Sequence, residues 1–212
     1  MNELVEKIIK NQYTKITRER FDTISRHAKS INSLEGDVIE CGIWKGGMGM
    51  YLSKLFPNKQ LWLADSFSGF QDHLEDAIYE YKKDRHHKGR MAASFNTVIQ
   101  NFQNLNINTE NIKWLKGYVK DTLPDAGIEK IALLRVDVDA YSATREVLDY
   151  LYDKVVSGGY IIFDDTCLFE STNAIKHFFE ENYPESEIDL RHPVTDEHID
   201  IYSKPTHPSG RS

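Results

Sequence analysis

Two apolar segments of the sequence each end in acidic residues, whose carboxylates could bind a metal ion. One segment runs into Asp-x-Asp and the next into Asp-Asp; the acids are Asp137, Asp139, Asp164 and Asp165. Carboxylates that converge repel one another, and a hard divalent cation such as Mg²⁺ is the simplest way to keep them ionised together. The pattern therefore predicts a cation held by three or four of these acids.

The acids would have to be brought together by the strands that precede them. The segments 131–137 and 160–164 have the length and β-branched content of buried parallel strands, and a helix-like stretch over 142–154 lies between them. We therefore expect neighbouring strands whose carboxyl ends share one sheet edge, where open α/β sheets bind ligands. Asp139 is favoured as the N-cap of the helix that follows.

The remaining elements alternate in the same way. Strands are predicted at 36–42, 61–65 and 112–117, and helices at 3–33 with a break near 11–15, at 46–56, at 93–106 and at 171–181. The alternating segments 188–191 and 198–202 could pair as a closing antiparallel hairpin. This order predicts an α/β fold with a doubly wound, mostly parallel sheet.

The chain divides into three predicted parts. An N-terminal helical segment covers 1–35, one α/β domain covers 36–203, and a flexible polar tail covers 204–212. Within the domain, residues 66–92 are strongly charged and poor in apolar residues, which favours an insertion or lid after the second strand.

The composition of the chain limits the classes of molecule that it is expected to bind. The 212 residues carry a net charge of −7 without a Lys/Arg-rich block, which argues against nucleic acid or an anionic membrane as the main partner. No apolar stretch approaches the ~18 residues of a membrane helix. The charged N-terminal sequence differs from a signal peptide, and Cys41 and Cys167 are expected to be reduced thiols, so we expect a cytoplasmic protein.

A glycine-rich turn between the first strand and its helix indicates a second ligand. The segment 40–47, ECGIWKGG, lacks the G-x-G-x-x-G pattern of dinucleotide enzymes, and its acid, Glu40, suits a cationic or amino-bearing ligand better than a phosphate. Asp65 ends the next strand, 25 residues after Glu40, where an acid can accept hydrogen bonds from ribose hydroxyls. The pair fits S-adenosylmethionine.

Five blocks of sequence, in order, resemble the macrocin O-methyltransferase family, which includes macrolide and aminocoumarin sugar methyltransferases. The blocks are VIECGIWKGGMGMYL, LADSFSGF, KGYVKDTLP, IALLRVDVDAYSATREVLDYLYDKV and SGGYIIFDDT, and they run from about Gly36 to Thr166. The resemblance implies a Rossmann-like methyltransferase domain that transfers a methyl group from S-adenosylmethionine to a sugar hydroxyl with the help of Mg²⁺. It further implies that Asp137 binds the metal and acts as general base, with Asp164 and Asp165 completing the metal site.

The resemblance also implies other contacts. Cofactor contacts carry over to Glu40, Gly42, Gly46, Gly47, Asp65, Ser66 and Gly117. The insertion would cover the acceptor over residues 70–92, with His73, His86 and His87 as candidate contacts. A homo-oligomer is expected, and the acceptor is a sugar or another vicinal diol such as a catechol.

Three other readings of the acids stay open at this point. An apolar strand ending in Asp-x-Asp also occurs in haloacid-dehalogenase phosphatases, although there the motif continues with Gly-Thr, whereas here it continues with Ala140-Tyr141. A nucleotide-sugar transferase could use Asp-x-Asp for its own metal. A third reading is a non-catalytic cofactor-binding protein on the same fold.

Overall fold

A computed structural model describes residues 1–70, 88–186, 188 and 200–205. These residues form a six-stranded sheet with helices on both faces. The strands are β1 (Asp37–Cys41), β2 (Leu61–Asp65), β3 (Ile112–Lys116), β4 (Ile131–Val136), β5 (Val155–Phe163) and β6 (Asp200–Ser203). The helices are α1 (Asn2–Lys10), α2 (Arg18–Ser33), α3 (Gly47–Leu55), α4 (Phe95–Asn104), α5 (Val119–Thr122), α6 (Tyr141–Leu151) and α7 (Phe169–Asn182), and a 3₁₀ turn, Tyr152–Lys154, follows α6.

The strand order is β3-β2-β1-β4-β5-β6, in which the first five strands run parallel and β6 runs antiparallel to β5. The predicted doubly wound, mostly parallel sheet is therefore confirmed. The second segment of the predicted hairpin forms β6, whereas 189–191 of the first segment lie outside the described residues. β5 begins five residues earlier than predicted, because Val155 already pairs with Ile131 of β4.

The two acid-bearing strands are neighbours, as predicted. β4 and β5 pair in parallel with Val136 opposite Phe163, so the residues after them leave the sheet at the same edge. β1 pairs with β2 on one side and with β4 on the other. The strand order thus reverses between β1 and β4, and ligands of open α/β sheets bind in the crevice at such a switch point.

Apolar side chains fill two layers, one on each face of the sheet. Val38 and Leu133 point toward α1–α4, whereas the next residues, Ile39 and Leu134, point toward α5–α7. This alternation follows from the two-residue period of a strand. The face toward which each residue of a strand points can therefore be counted from these positions.

The N-terminal helices belong to the first of these layers. The helical prediction for 3–33 is confirmed as α1 and α2, and Val5, Ile8, Phe21 and Ile24 are buried with the sheet residues. Between the helices, the carbonyl oxygen of Tyr13 accepts the backbone N–H of Gly47, which ties this connection to the start of α3. None of the described helices has both the length and the apolar character needed to cross a bilayer.

The start of α6 differs from the prediction. Its N-cap is Ala140, whose carbonyl oxygen accepts the N–H of Thr144, so the prediction that Asp139 caps this helix is wrong. Asp139 instead adopts a φ of +57° and donates its backbone N–H to Asp165 Oδ2 at 2.9 Å. The predicted lid lies mostly outside the described residues, as do His73, His86, His87 and the last seven residues.

A buried ion pair links β1 to β4 on the face that the N-terminal helices cover. Glu40 and Arg135 are partners in the strand register, and Arg135 Nη1 donates to Glu40 Oε1 at 2.6 Å. Both side chains are 1% exposed. Burial raises the pKa of Glu40 to about 8; Arg135 lowers it and the charges of Asp137 and Asp164 raise it further.

The turn after β1 brings two backbones into close approach. Gly42 has a φ of +86°, and a Cβ atom there would lie 1.7 Å from the carbonyl oxygen of Asp137. Only glycine combines this conformation with this approach. The end of β1 can therefore lie against the first residue after β4.

Replacement of this glycine should be costly. Gly42→Ala should lower the free energy of unfolding by about 1–2 kcal/mol for the left-handed backbone and by about 1–3 kcal/mol more for the clash. Gly127→Ala is the control, because Gly127 has a φ of +72° but no atom lies within 4 Å of its Cβ position. Denaturant unfolding measures both, and equal losses would contradict the close approach.

Burial of the Glu40 carboxyl group should make the stability of the metal-free protein depend on pH. Because the folded-state pKa of Glu40 lies above its ordinary value, its contribution is complete below pH ~4.5 and is lost as the pH rises through about 8. Between pH 5 and 8 the free energy of unfolding should fall more steeply for the wild type than for Glu40→Gln, by at most ~1.4 kcal/mol per pH unit.

The measurement is urea unfolding in EDTA across this pH range. Glu129→Gln, at an exposed position, is the control and should follow the wild type. Parallel curves for the wild type and Glu40→Gln would show that Glu40 stays ionised throughout.

Candidate functional site

The acids at the carboxyl edge of the sheet surround a buried arginine. Arg135 Nη2 lies 2.7 Å from Asp137 Oδ2 and 3.0 Å from Asp164 Oδ2, while its Nη1 binds Glu40. Burial alone would lower the pKa of Arg135, but the charges of Asp137, Asp164 and Glu40 raise it above its ordinary value. One guanidinium thus links the tips of β1, β4 and β5.

A second arginine reaches the same place from α2. Arg20 Nη1 donates to Asp164 Oδ2 at 2.7 Å and to the main-chain oxygen of Asp164 at 3.2 Å. Sequence reasoning missed both arginines, and it assigned the whole task of balancing the acids to a metal. The alternation of β4 does carry a signal for Arg135, because residues 135 and 137 must point toward the same face.

Three of the predicted acids converge. Asp137, Asp164 and Asp165 each offer a carboxylate oxygen, and these oxygens lie within 4.8 Å of one another. The Oδ2 atoms of Asp137 and Asp164 contact arginine, and Asp165 Oδ2 accepts the Asp139 N–H. Asp164 Oδ1 is buried, with no hydrogen-bond partner among the described residues. This set of oxygens fits a hard cation.

The environment disfavours ionisation of Asp137 and Asp165 without a cation. Burial raises the pKa of Asp137 to about 7; Arg135 lowers it, and Asp164 and Asp139 raise it. Burial also raises the pKa of Asp165 well above its ordinary range, and the neighbouring acids add to this shift. Arg135 therefore offsets only part of the rise in the pKa of Asp137, and a cation would favour the ionised forms of both acids.

A cavity of about 420 Å³ opens beside the glycine-rich turn. Asp65, Asp137, Asp139 and Glu146 supply carboxylates to its wall, and Lys120 supplies a cation. Its volume lies within the range of sites that enclose a cofactor-sized ligand. The excess of carboxylates favours a ligand that carries positive charge.

The predicted cofactor contacts fall into two groups. Gly42, Asp65 and Ser66 line this cavity, with Ala64, Tyr118 and Val138 beside them. Glu40, Gly46, Gly47 and Gly117 are not among its lining residues. A role in cofactor binding stays a prediction for the residues of both groups.

The second group has other contacts. A Cβ atom on Gly46 would lie 2.7 Å from the Phe102 ring, and one on Gly47 would lie 2.7 Å from the carbonyl oxygen of Tyr13. Gly117 donates its backbone N–H to the carbonyl oxygen of Asp65 at 2.9 Å. These glycines permit close packing around the turn.

Asp65 holds the turn in shape. Its Oδ2 accepts the backbone N–H groups of Ile43 at 2.8 Å and Trp44 at 3.0 Å, and its Oδ1 accepts that of Phe67 at 2.7 Å. A carboxylate has about four acceptor positions. One therefore remains for a ligand hydroxyl, which is compatible with the predicted ribose contact.

A smaller cavity of about 200 Å³ lies on the other side of the acids. Its wall includes Thr14 and Ile16 from the α1–α2 connection, together with Arg20, Asp164 and Asp165. Both cavities share four wall residues, which are Trp44, Met91, Asp137 and Asp139. A group passing from one ligand to the other would cross the wall that these residues form.

Comparison with known proteins identifies the family. The Macrocin-O-methyltransferase (TylF) family model matches residues 6–196, which extends the similarity well beyond the five blocks recognised in the sequence. The solved structure of the O-methyltransferase NovP superposes with a TM-score of 0.76 at 28% identity, covering 91% of this chain and 82% of that one.

Three curated relatives are also O-methyltransferases. Demethyldecarbamoylnovobiocin O-methyltransferase of Streptomyces niveus is 36% identical over 164 residues, which cover 73% of this chain but only 63% of that protein's length. Mycinamicin III 3''-O-methyltransferase of Micromonospora griseorubida is 29% identical, covering 89% of this chain and 75% of that protein.

The third relative is the 8-demethyl-8-(2,3-dimethoxy-alpha-L-rhamnosyl)-tetracenomycin-C 4'-O-methyltransferase of Streptomyces olivaceus. It is 28% identical and covers 84% of this chain and 72% of that protein. No phosphatase or glycosyltransferase is among these similarities, and the family model covers most of the sequence. The chain belongs to the macrocin-O-methyltransferase family.

Proposed function

We propose that this protein transfers a methyl group from S-adenosylmethionine to a hydroxyl of a sugar or related vicinal diol, with Mg²⁺ at the acid cluster. The observation that carries the proposal is the position of Asp137 in the wall between two cavities, with oxygens of Asp164 and Asp165 beside it. Family membership supplies the methyl-transfer chemistry.

The larger cavity suits the cofactor. S-adenosylmethionine carries a sulfonium and an ammonium group, and the wall supplies carboxylates from Asp65, Asp137, Asp139 and Glu146. Gly42 lets the backbone turn sharply beside the ligand, and Asp65 keeps one acceptor position for a ribose hydroxyl. Ser66 adds a hydroxyl to the same wall.

The acid cluster suits Mg²⁺, which prefers oxygen ligands. Asp137, Asp164 and Asp165 would hold it, and the buried Asp164 Oδ1 is an oxygen for which the described residues provide no hydrogen bond. When bound, Mg²⁺ supplies Lewis-acid stabilisation to a hydroxyl oxygen that is losing its proton.

Asp137 is the proposed general base. Its side chain is 26% exposed and lines both cavities, so an ionised Asp137 carboxylate can reach the hydroxyl of an acceptor bound in the smaller one. Arg135 binds Asp137 Oδ2 and so fixes the carboxylate in the wall. The remaining work of the protein is to hold the two ligands in line.

The smaller cavity suits the acceptor. Its volume of about 200 Å³ is below that of sites for drug-sized ligands, so it would enclose a small portion such as one sugar ring. The name of the tetracenomycin relative includes a rhamnosyl group, which supports a sugar as the methylated unit. The α1–α2 connection contributes Thr14 and Ile16 to this cavity, so it would take part in acceptor choice.

Methyl transfer should depend on the acid cluster. With radiolabelled S-adenosylmethionine and a panel of deoxysugar glycosides, Asp137→Ala and Asp164→Ala should lower turnover by at least ~10²-fold, because the base or a metal oxygen is lost. Cofactor affinity should change little in Asp164→Ala, because Asp164 does not line the larger cavity. Asp125→Asn, at an exposed turn position, is the control.

Chelation tests the same proposal without a mutation. EDTA should abolish turnover and added Mg²⁺ should restore it, whereas full turnover in metal-free buffer would contradict the metal role. Calorimetry separates an enzyme from a non-catalytic cofactor-binding protein, since only the former should bind Mg²⁺ in a manner that Asp165→Asn weakens.

Cofactor binding should depend on Asp65. Asp65→Asn replaces one accepting oxygen by an amide donor that faces backbone N–H groups, at a cost of about 1–3 kcal/mol. We expect S-adenosylmethionine affinity in calorimetry to fall by about tenfold or more. Ser68→Ala, an exposed change in the same loop, should bind like the wild type. Unchanged affinity of the Asn variant would exclude Asp65 from the cofactor site.

A further inference from the structure

A side chain from the N-terminal helices reaches the proposed metal site. Arg20 lies on α2, 144 residues before Asp164, and is 7% exposed. It donates to the side chain of Asp164 at 2.7 Å and to the main-chain oxygen of the same residue at 3.2 Å. One guanidinium therefore binds both the side chain and the main-chain oxygen of Asp164.

The contact constrains how the Asp164 carboxylate can be used. Its Oδ2 receives Arg20 Nη1 and also Arg135 Nη2, whereas its Oδ1 is buried without a hydrogen bond from the described residues. Rotation of the carboxylate would break two charge-assisted hydrogen bonds. The two arginines thus leave Oδ1 as the oxygen available to a further ligand.

We propose that Arg20 is a positioning residue, which orients the Asp164 carboxylate for a divalent cation and so makes the N-terminal helical segment part of the metal site. This inference rests on the proposed metal site. Groups that orient metal ligands typically change metal affinity by 10–100-fold when they are replaced.

Charge and geometry make opposite predictions for this residue. As a nearby positive charge, Arg20 repels a cation, so its removal alone would tighten cation binding. As an orienting group, it favours binding through the two contacts that its Nη1 atom makes with Asp164. Arg20→Lys keeps the charge but loses the rigid, planar guanidinium group, and Arg20→Gln loses the charge while keeping a hydrogen-bond donor.

The experiment titrates the metal-free protein, saturated with S-adenosylmethionine, with Mn²⁺ and follows binding by calorimetry and electron paramagnetic resonance. Arg20→Lys should weaken Mn²⁺ binding by about tenfold or more and alter the spectrum of the bound ion. Arg26→Lys is the control; Arg26 lies on the same helix and donates to Thr23 Oγ1 at the surface. S-adenosylmethionine affinity should stay the same in all variants.

The outcomes distinguish failure of the positioning role of Arg20 from failure of the proposed metal site. If the wild type binds no Mn²⁺, the proposed metal site is wrong and the inference falls with it. If the wild type binds and Arg20→Lys binds equally well, or Arg20→Gln binds more tightly, only the positioning role is wrong. Should Arg20→Lys fail to fold by circular dichroism, Arg20→Gln decides, since weaker binding by that variant opposes the effect of charge.

Discussion

The carboxyl edge of the sheet depends on the burial of one guanidinium group. Arg135 is 1% exposed and contacts Glu40, Asp137 and Asp164, which follow or end three adjacent strands. A buried charge is tolerated only when it is paired, and removing one partner leaves the other uncompensated. The acids and the arginine therefore require each other, and the β1-β4-β5 order is the arrangement that brings them together.

The sequence was sufficient for the sheet and for the convergence of the acids, because both follow from local rules. Apolar runs separated by one helix predict adjacent parallel strands, and so Asp137 and Asp164 share an edge. The contacts of the two arginines, in contrast, follow from no sequence motif. Arg135 was included in an apolar run, and Arg20 meets Asp164 across 144 residues through the packing of α2, which no spacing in the sequence encodes.

The backbone conformation of the site was the second feature that sequence motifs could not predict. Gly42 and Gly46 were recognisable as turn residues, but Trp44 and Asp139 also adopt positive φ values of +46° and +57°. Such conformations are costly for non-glycine residues and cluster at functional sites. Here hydrogen bonds from the turns to Asp65 and Asp165 hold them, and both residues form part of the wall between the two cavities.

The proposed division into a cofactor cavity and an acceptor cavity has a structural cause. The larger one is walled by residues at the tips of parallel strands, in the loops after them and in the helices α5 and α6 that follow. The smaller one adds the α1–α2 connection and Arg20, which lie before the first strand. A change in this N-terminal segment can therefore alter the proposed acceptor side while leaving the proposed cofactor side intact. Because Asp137 lines both cavities, the proposed acceptor side could vary while the proposed site of methyl transfer stays in place.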